Sequence, residues 1–281
     1  MWLPWDLALW FAAGLGALGV GVRSKGRRWL DVALPVAREA AVVLTMYAVW
    51  RAFGEVTIMG TERALSRGRS VWRAERWLHL PNEVTLQRWT LPATWLVRFA
   101  NGYYIVAHVA PLGIFLVWLF VRHRDRYPGW RNLLGFTSIV CLAIQLVPVA
   151  PPRFFPDLHF VDTGAVYGPG VYDNVGTYLP GQLSAMPSMH VAWAMLIGIA
   201  TMRVGTSRWR WLGAAHAFLT VFAVTVTAYH WLLDGIVATG VLLVGIGLGR
   251  LIRLRWPERV SASGALRLAA PRPRFEQPAS P

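Results

Sequence analysis

Three ionisable side chains stand in the otherwise apolar region 180–240: His190 in PGQLSAMPSMHVAWAM, and His230 and Asp234 in TAYHWLLDGIVATG. His230 and Asp234 are four residues apart, so on a helix they share a face and can touch. A carboxylate that accepts the Nδ1 proton of an imidazole fixes the ring and leaves Nε2 free and more basic. That prepares a histidine for nucleophilic attack. His190 opens a separate helix, with Pro187 expected at its first turn. Two helix starts on one side of a membrane would face each other across a pocket. A single buried histidine is ordinarily a satisfied core residue. Three charge-capable groups at the ends of membrane spans are costly to keep there, which favours a functional reading.

The elements that must position these groups are apolar helices. Of 281 residues 55% are hydrophobic and 16 are Trp, more apolar than ordinary soluble domains. Stretches of near-spanning length fall at about 5–22, 33–53, 101–121, 132–149, 188–204, 210–228 and 233–252. The expected fold is all-α, a polytopic membrane helical bundle of about seven transmembrane helices. The first stretch is not a convincing signal peptide, because MWLPWD lacks a basic start. Its basic flank follows it, at Arg23, Lys25, Arg27 and Arg28, as in a retained anchor. Residues 1–30 are read as an N-terminal anchor helix and basic loop, 31–255 as the membrane domain. Residues 256–281, rich in Pro and Arg, are read as a disordered cytoplasmic tail. The second stretch carries Arg38 and Glu39, which must lie at the interface or face the bundle and pair.

Charge orients the spans. The short loops 23–30, 122–131 and 203–210 and the tail are basic, whereas 150–187 sets Arg153 against Asp157, Asp162 and Asp173. With seven spans the two sets fall on opposite sides, and the positive set belongs in the cytoplasm. Arg153, His190, His230 and Asp234 then share the outer face of the cell membrane. The formal net charge of +14 comes almost wholly from arginines lying between apolar spans rather than on one soluble face. Anionic lipid headgroups are therefore expected partners, and nucleic acid is not. The single cysteine, Cys141, lies within an apolar span and is read as packing.

Segment 54–100 mixes Arg63, Arg67, Arg69, Arg73 and Arg76 with Val71, Trp72, Trp77, Leu78 and Leu80. It reads as an amphipathic helix on the membrane, the alternative being a soluble surface helix. Asn82 after Pro81 is a candidate helix cap. Asn101, Tyr104 and His108 form a polar stripe on the next span, as interhelical contacts or as pocket lining. Pro111 should kink that span. Loop 150–187 is too long for a mere connector, and a lid or binding surface is expected. Pro151 and Pro152 give a rigid approach to Arg153, a candidate anion holder, with a headgroup-level arginine as the plainer alternative. The glycines of the last span, Gly235, Gly240, Gly245, Gly247 and Gly249, are read as close helix packing.

PSMH at 187–190, followed some 40 residues later by H-x-x-x-D at 230–234, resembles the last two motifs of the type-2 phosphatidic acid phosphatase superfamily. APPRFFPD at 150–157, FVDT at 160–163 and AMPSMHVAW resemble the inositol phosphorylceramide synthase branch. With NGYYIVAH at 101–108 the likeness covers roughly residues 80–250. It implies a six-helix phosphatase-like core preceded by an N-terminal helix. Two departures stand out: no Lys precedes an Arg-Pro pair as in the family's first motif, and Val224 stands where its third motif carries an Arg. Arg153 is the candidate replacement.

The resemblance implies metal-free phosphoryl transfer, without cofactor, from a lipid phosphate substrate. His230 would be the nucleophile, Asp234 its orienter and His190 the general acid and base. Arg153, the helix start at Ser188, and the stripe of Asn101, Tyr104 and His108 would hold phosphate or substrate. Water as acceptor makes a phosphatase, and a lipid or sugar hydroxyl makes a transferase. Three other readings stand beside it: a proton-coupled transporter with an in-membrane relay, a zinc site on His190, His230 and Asp234, and a structural membrane protein with a decayed site.

Overall fold

The computed structural model describes residues 3–21, 28–55, 61–107, 109–168 and 182–255, and among these there is no β-strand. The tail from Trp256, the loop at 22–27 and the middle of loop 150–187, including Asp173, lie outside the described residues, as does His108. Helices α1 (Trp5–Gly21) and α2 (Arg28–Glu55) pack together at the N-terminus. They run antiparallel: Arg38 Nε donates to the carbonyl of Gly19, and Tyr47 Oη donates to that of Leu3 at 2.9 Å. Arg38 and Glu39 do not pair with each other. Glu39 instead forms an ion pair with Arg131 of α7 (Tyr127–Gln145).

Between them in the chain come α3 (Thr61–Trp77), α4 (Glu83–Thr90), α5 (Thr94–Val106) and α6 (Ala110–Arg122). Asn82 caps α4, its side chain accepting from Val84 N–H at 3.0 Å. The α3 stripe Ala64, Gly68, Val71 and Glu75 is buried, at helical spacing. That face is turned into the protein. It packs with Val84, Val149, Ala150, Phe155, Phe160, Leu183, Ala185, Ala228 and Trp231 into one apolar cluster beside the histidines. A Cβ on Gly68 would come within 2.7 Å of both the Ala150 carbonyl oxygen and the Phe155 ring, so only glycine permits this approach. The outward side keeps Trp77, Trp89 and Trp95 exposed.

Pro111 does more than kink its span. The chain breaks before it into α5 and α6, bent by 51°, and Pro111 lies in the first turn of α6, where its missing N–H costs nothing. After α7, the loop carries two short 3₁₀ turns and α8 (Thr163–Tyr167). Then come α9 (Met189–Val204), α10 (Trp211–Val226) and α11 (Leu232–Arg255). α9 is central, packing on α6, α7, α10 and α11. Of the α11 glycines, Gly245 lies hard against Leu133 and Phe136 and Gly235 against Val191. Gly240, Gly247 and Gly249 approach no neighbour, which corrects the expectation of packing for those three. A closer small-residue contact is that of Gly198 and Gly213, which bring α9 onto α10.

Among the described residues, two helical stretches are long and apolar enough to cross a membrane, Arg208–Val226 and Leu232–Ile252. The bent pair α5–α6 makes a third if it is one broken span. α1 and α9 are apolar but shorter. Length and composition thus support two or three spans rather than the seven expected from apolar stretches, because charges interrupt α2 and short helices stand where continuous ones were expected.

Candidate active site

His230 sits in the turn before α11, and Asp234 in the first turn of that helix. The i, i+4 pair therefore spans a helix start, not one helix face. Nδ1 of His230 lies 2.8 Å from the Ala185 carbonyl and 3.4 Å from Asp234 Oδ2. The nearer partner is the main-chain oxygen, which corrects the expectation that the carboxylate alone holds the ring. A carbonyl can only accept, so Nδ1 carries a proton, and in the neutral ring the lone pair is left on Nε2. Ala185 is placed for this by its own N–H, which donates to Val149 at 3.0 Å.

Asp234 is fully buried and joins three segments. Its Oδ2 also accepts from Trp231 N–H at 2.8 Å, and its carbonyl accepts from Ser188 N–H at 3.2 Å. The Ser188 side chain accepts from Val191 N–H at 3.4 Å as the N-cap of α9, with Pro187 ahead of the cap rather than in the first turn. Ser188 is thus a brace between the two histidine-bearing segments, and its N–H is committed to Asp234 rather than to an anion.

His190 follows that cap. Its ring centre is 5.7 Å from that of His230, and it stacks on Tyr104 at 4.1 Å. Tyr104 also stacks on Tyr229 at 4.5 Å, and the Arg153 guanidinium carbon stands 4.8 Å from the Tyr229 ring centre. His190, Tyr104, Tyr229 and Arg153 therefore form one continuous series beside His230. Arg153 is nearly buried; Nη2 donates to Gln182 at 2.9 Å and Nη1 lies 3.5 Å from Asp162.

The polar stripe divides. Tyr104 joins the histidines. Asn101 does not: its amide donates to the carbonyls of Thr163 at 3.0 Å and Gly168 at 3.3 Å, and its oxygen accepts from Thr163 Oγ1 at 2.8 Å. It is a strut for α8, which removes it from the substrate-contacting set. Sequence reasoning passed over Tyr229, Gln182, Asp162 and the Ala185 carbonyl as site parts. The first three flank motifs already singled out, whereas a carbonyl gives no signal in a sequence. Among the described residues no group of three or more His, Cys, Asp or Glu side chains converges as metal ligands would. An apolar depression of about 440 Å³ runs between α9 and α10 toward Arg203, apart from this cluster.

A family model of the PAP2 superfamily matches residues 69–248, well over half of the chain. The chain belongs to the PAP2 superfamily. No curated protein and no solved structure matches it. The match begins in α3 and ends in α11, so it takes in every residue of the cluster and leaves out the α1–α2 pair. It does not single out the inositol phosphorylceramide synthase branch. Membership places this PAP2 protein with phosphatase- and phosphotransferase-type enzymes, and its apolar helices with membrane proteins. At the position of the family's expected third-motif Arg, Val224 is buried, and its carbonyl accepts from Tyr229 N–H and His230 N–H at 3.2 Å each. That position shapes the His230 turn by its main chain and supplies no cation.

Proposed function

We propose that this PAP2 protein is an integral membrane enzyme that moves the phosphoryl group of a lipid phosphate through a phosphohistidine on His230. The observation that carries the reading is the fixed tautomer of His230: Nδ1–H is held by an acceptor-only carbonyl, with Asp234 behind it. Nε2 attacks phosphorus, the N–P bond forms, and the P–O bond to the lipid breaks. His190, protonated, gives its proton to the leaving oxygen, and Asp234 stabilises the positive charge that grows on His230. His190 then takes a proton from the acceptor hydroxyl, whose oxygen displaces Nε2. Arg153 holds phosphoryl oxygens, and its partners Asp162 and Gln182 hold it in place beforehand. No metal and no cofactor is needed for these steps.

The site belongs on the outer face of the cell membrane, with the C-terminus in the cytoplasm. Charge asymmetry supports this, as does a contact between two basic loops: Arg126 Nη1 donates to the Arg203 carbonyl at 3.4 Å, at the other end of α9 from His190. A core of about six membrane-inserted helices, broken or short in places, with α1 as an added anchor, accommodates that topology. The acceptor is water or a lipid or sugar hydroxyl, since one phosphoenzyme serves both. The test is phosphate release by the purified protein over a panel of lipid phosphates, with and without alcohol acceptors. The wild type should turn over at least one of them in the presence of chelator, and His230→Ala should not. Full turnover by His230→Ala ends this reading, and chelator-sensitive turnover would favour a metal site instead.

A further inference from the structure

The start of α11 is held by three buried carboxyl groups. Trp231 N–H is accepted by Asp234 at 2.8 Å, Leu232 N–H by Glu83 at 3.1 Å, and Leu233 N–H by Glu75 at 2.8 Å. The glutamates come from α3 and α4, far away in the chain, and both are buried essentially completely. A helix start needs acceptors for its first N–H groups and favours negative charge. Three full charges there are too many, since among the described residues the one arginine paired with the group is Arg76, which reaches Glu83 at 3.2 Å. Glu75 Oε1 is taken by Leu233 N–H, Oε2 is buried without a donor, and the Glu75 carboxyl neighbours that of Glu83. A proton on Glu75 removes the conflict, turning that oxygen into a donor toward Glu83.

We propose that Glu75 and Glu83 act as a carboxyl pair sharing one proton, which positions His230 and Asp234 by holding the first turn of α11. Among the described residues the charged groups acting on Glu75 are Glu83 of α4 and Asp234 of α11, with Arg76 paired to Glu83 and His230 to Asp234. Burial foremost, then the Glu83 carboxyl, pushes Glu75 from 4.5 up to about 9. The raised Glu75 favours its protonated form, and Arg76 is paired with Glu83 at 3.2 Å. Neither residue touches the reacting atoms. Both are positioning residues, and their catalytic effect rests on the phosphotransfer reading above.

The test compares Glu75→Gln with Glu75→Leu in the full-length protein in detergent. Gln keeps an acceptor for Leu233 N–H and supplies an N–H toward Glu83; Leu keeps neither. Leu should lower kcat by about tenfold or more with little change in KM, and Gln should rescue most of that loss. Stability supplies an independent readout. A carboxyl whose folded value is raised makes folding take up a proton between pH 4.5 and about 9, so the wild type loses stability as pH rises across that window. Gln has no proton to lose, so its melting temperature should gain on the wild type from pH 6 to pH 9. Parallel melting profiles for Gln and wild type overturn the shared proton, whatever the activity. A Gln variant as impaired in kcat as Leu overturns the positioning role. If the wild type releases no phosphate from any lipid, the phosphotransfer reading fails by itself, and the melting profiles still decide the pair.

Discussion

The main-chain N–H of Arg153 donates to the carbonyl of Ala228 at 3.0 Å, joining the loop that carries the guanidinium to the turn that carries His230. Ala228 is buried and left-handed, at φ 57°, a conformation that costs a residue with a Cβ roughly 1–2 kcal/mol. That conformation aims its carbonyl at Arg153. Ala228→Val adds β-branching where it is least tolerated and should lose about 2 kcal/mol or more of stability together with turnover. Ala228→Gly should melt at least as high as wild type. Thermal melts of both variants, with phosphate release alongside, check this.

Arg153 meets two partners at once, Gln182 and Asp162, and stands over Tyr229. Lysine keeps the charge but has no planar fork to satisfy this arrangement. Arg153→Lys should cost about tenfold or more in kcat/KM, and Arg153→Ala more, in steady-state phosphate release.

Tyr104 stacks on His190 and on Tyr229, so its ring keeps the general acid in register with the aromatic series. Such stacking is worth roughly 0.5–1.5 kcal/mol. Tyr104→Ala should therefore lower kcat by about threefold to tenfold, and Tyr104→Phe, which preserves both stacks, should fall less. The ratio of the two variants in kcat is the measurement.

Gly68 marks where α3 closes onto the loop. A methyl group there meets the Ala150 carbonyl and the Phe155 ring at 2.7 Å. Gly68→Ala should lose about 1–3 kcal/mol, seen as a lower melting temperature, because neither neighbour is the free end of a flexible side chain.

The histidines and Asp234 were legible in the sequence because each is an ionisable group in apolar surroundings, and a spacing of four brings His230 and Asp234 together even across a helix start. The α3 stripe was legible as an amphipathic helix, and Asn82 as a cap. What covers that stripe was not, since Phe155, Leu183 and Trp231 reach it only through the fold. The same limit hid the Ala185 carbonyl, which lies 45 residues from His230, and the two glutamates at α11. Periodicity also counted more spans than helix length and composition support. It counts apolar residues, whereas crossing a membrane needs an unbroken helix, and the break ahead of Pro111 and the charges of α2 interrupt two of them.

Phosphotransfer through His230 requires covalent phosphate on its Nε2. Rapid mixing of the enzyme with a phosphate-labelled lipid substrate, an alkaline quench and mapping of the label by mass spectrometry would detect it. The wild type should yield an acid-labile phosphoryl group on His230, and His230→Ala should yield none. Label on any other residue, or wild-type turnover with no trapped phosphoenzyme and full activity in His230→Ala, would contradict it.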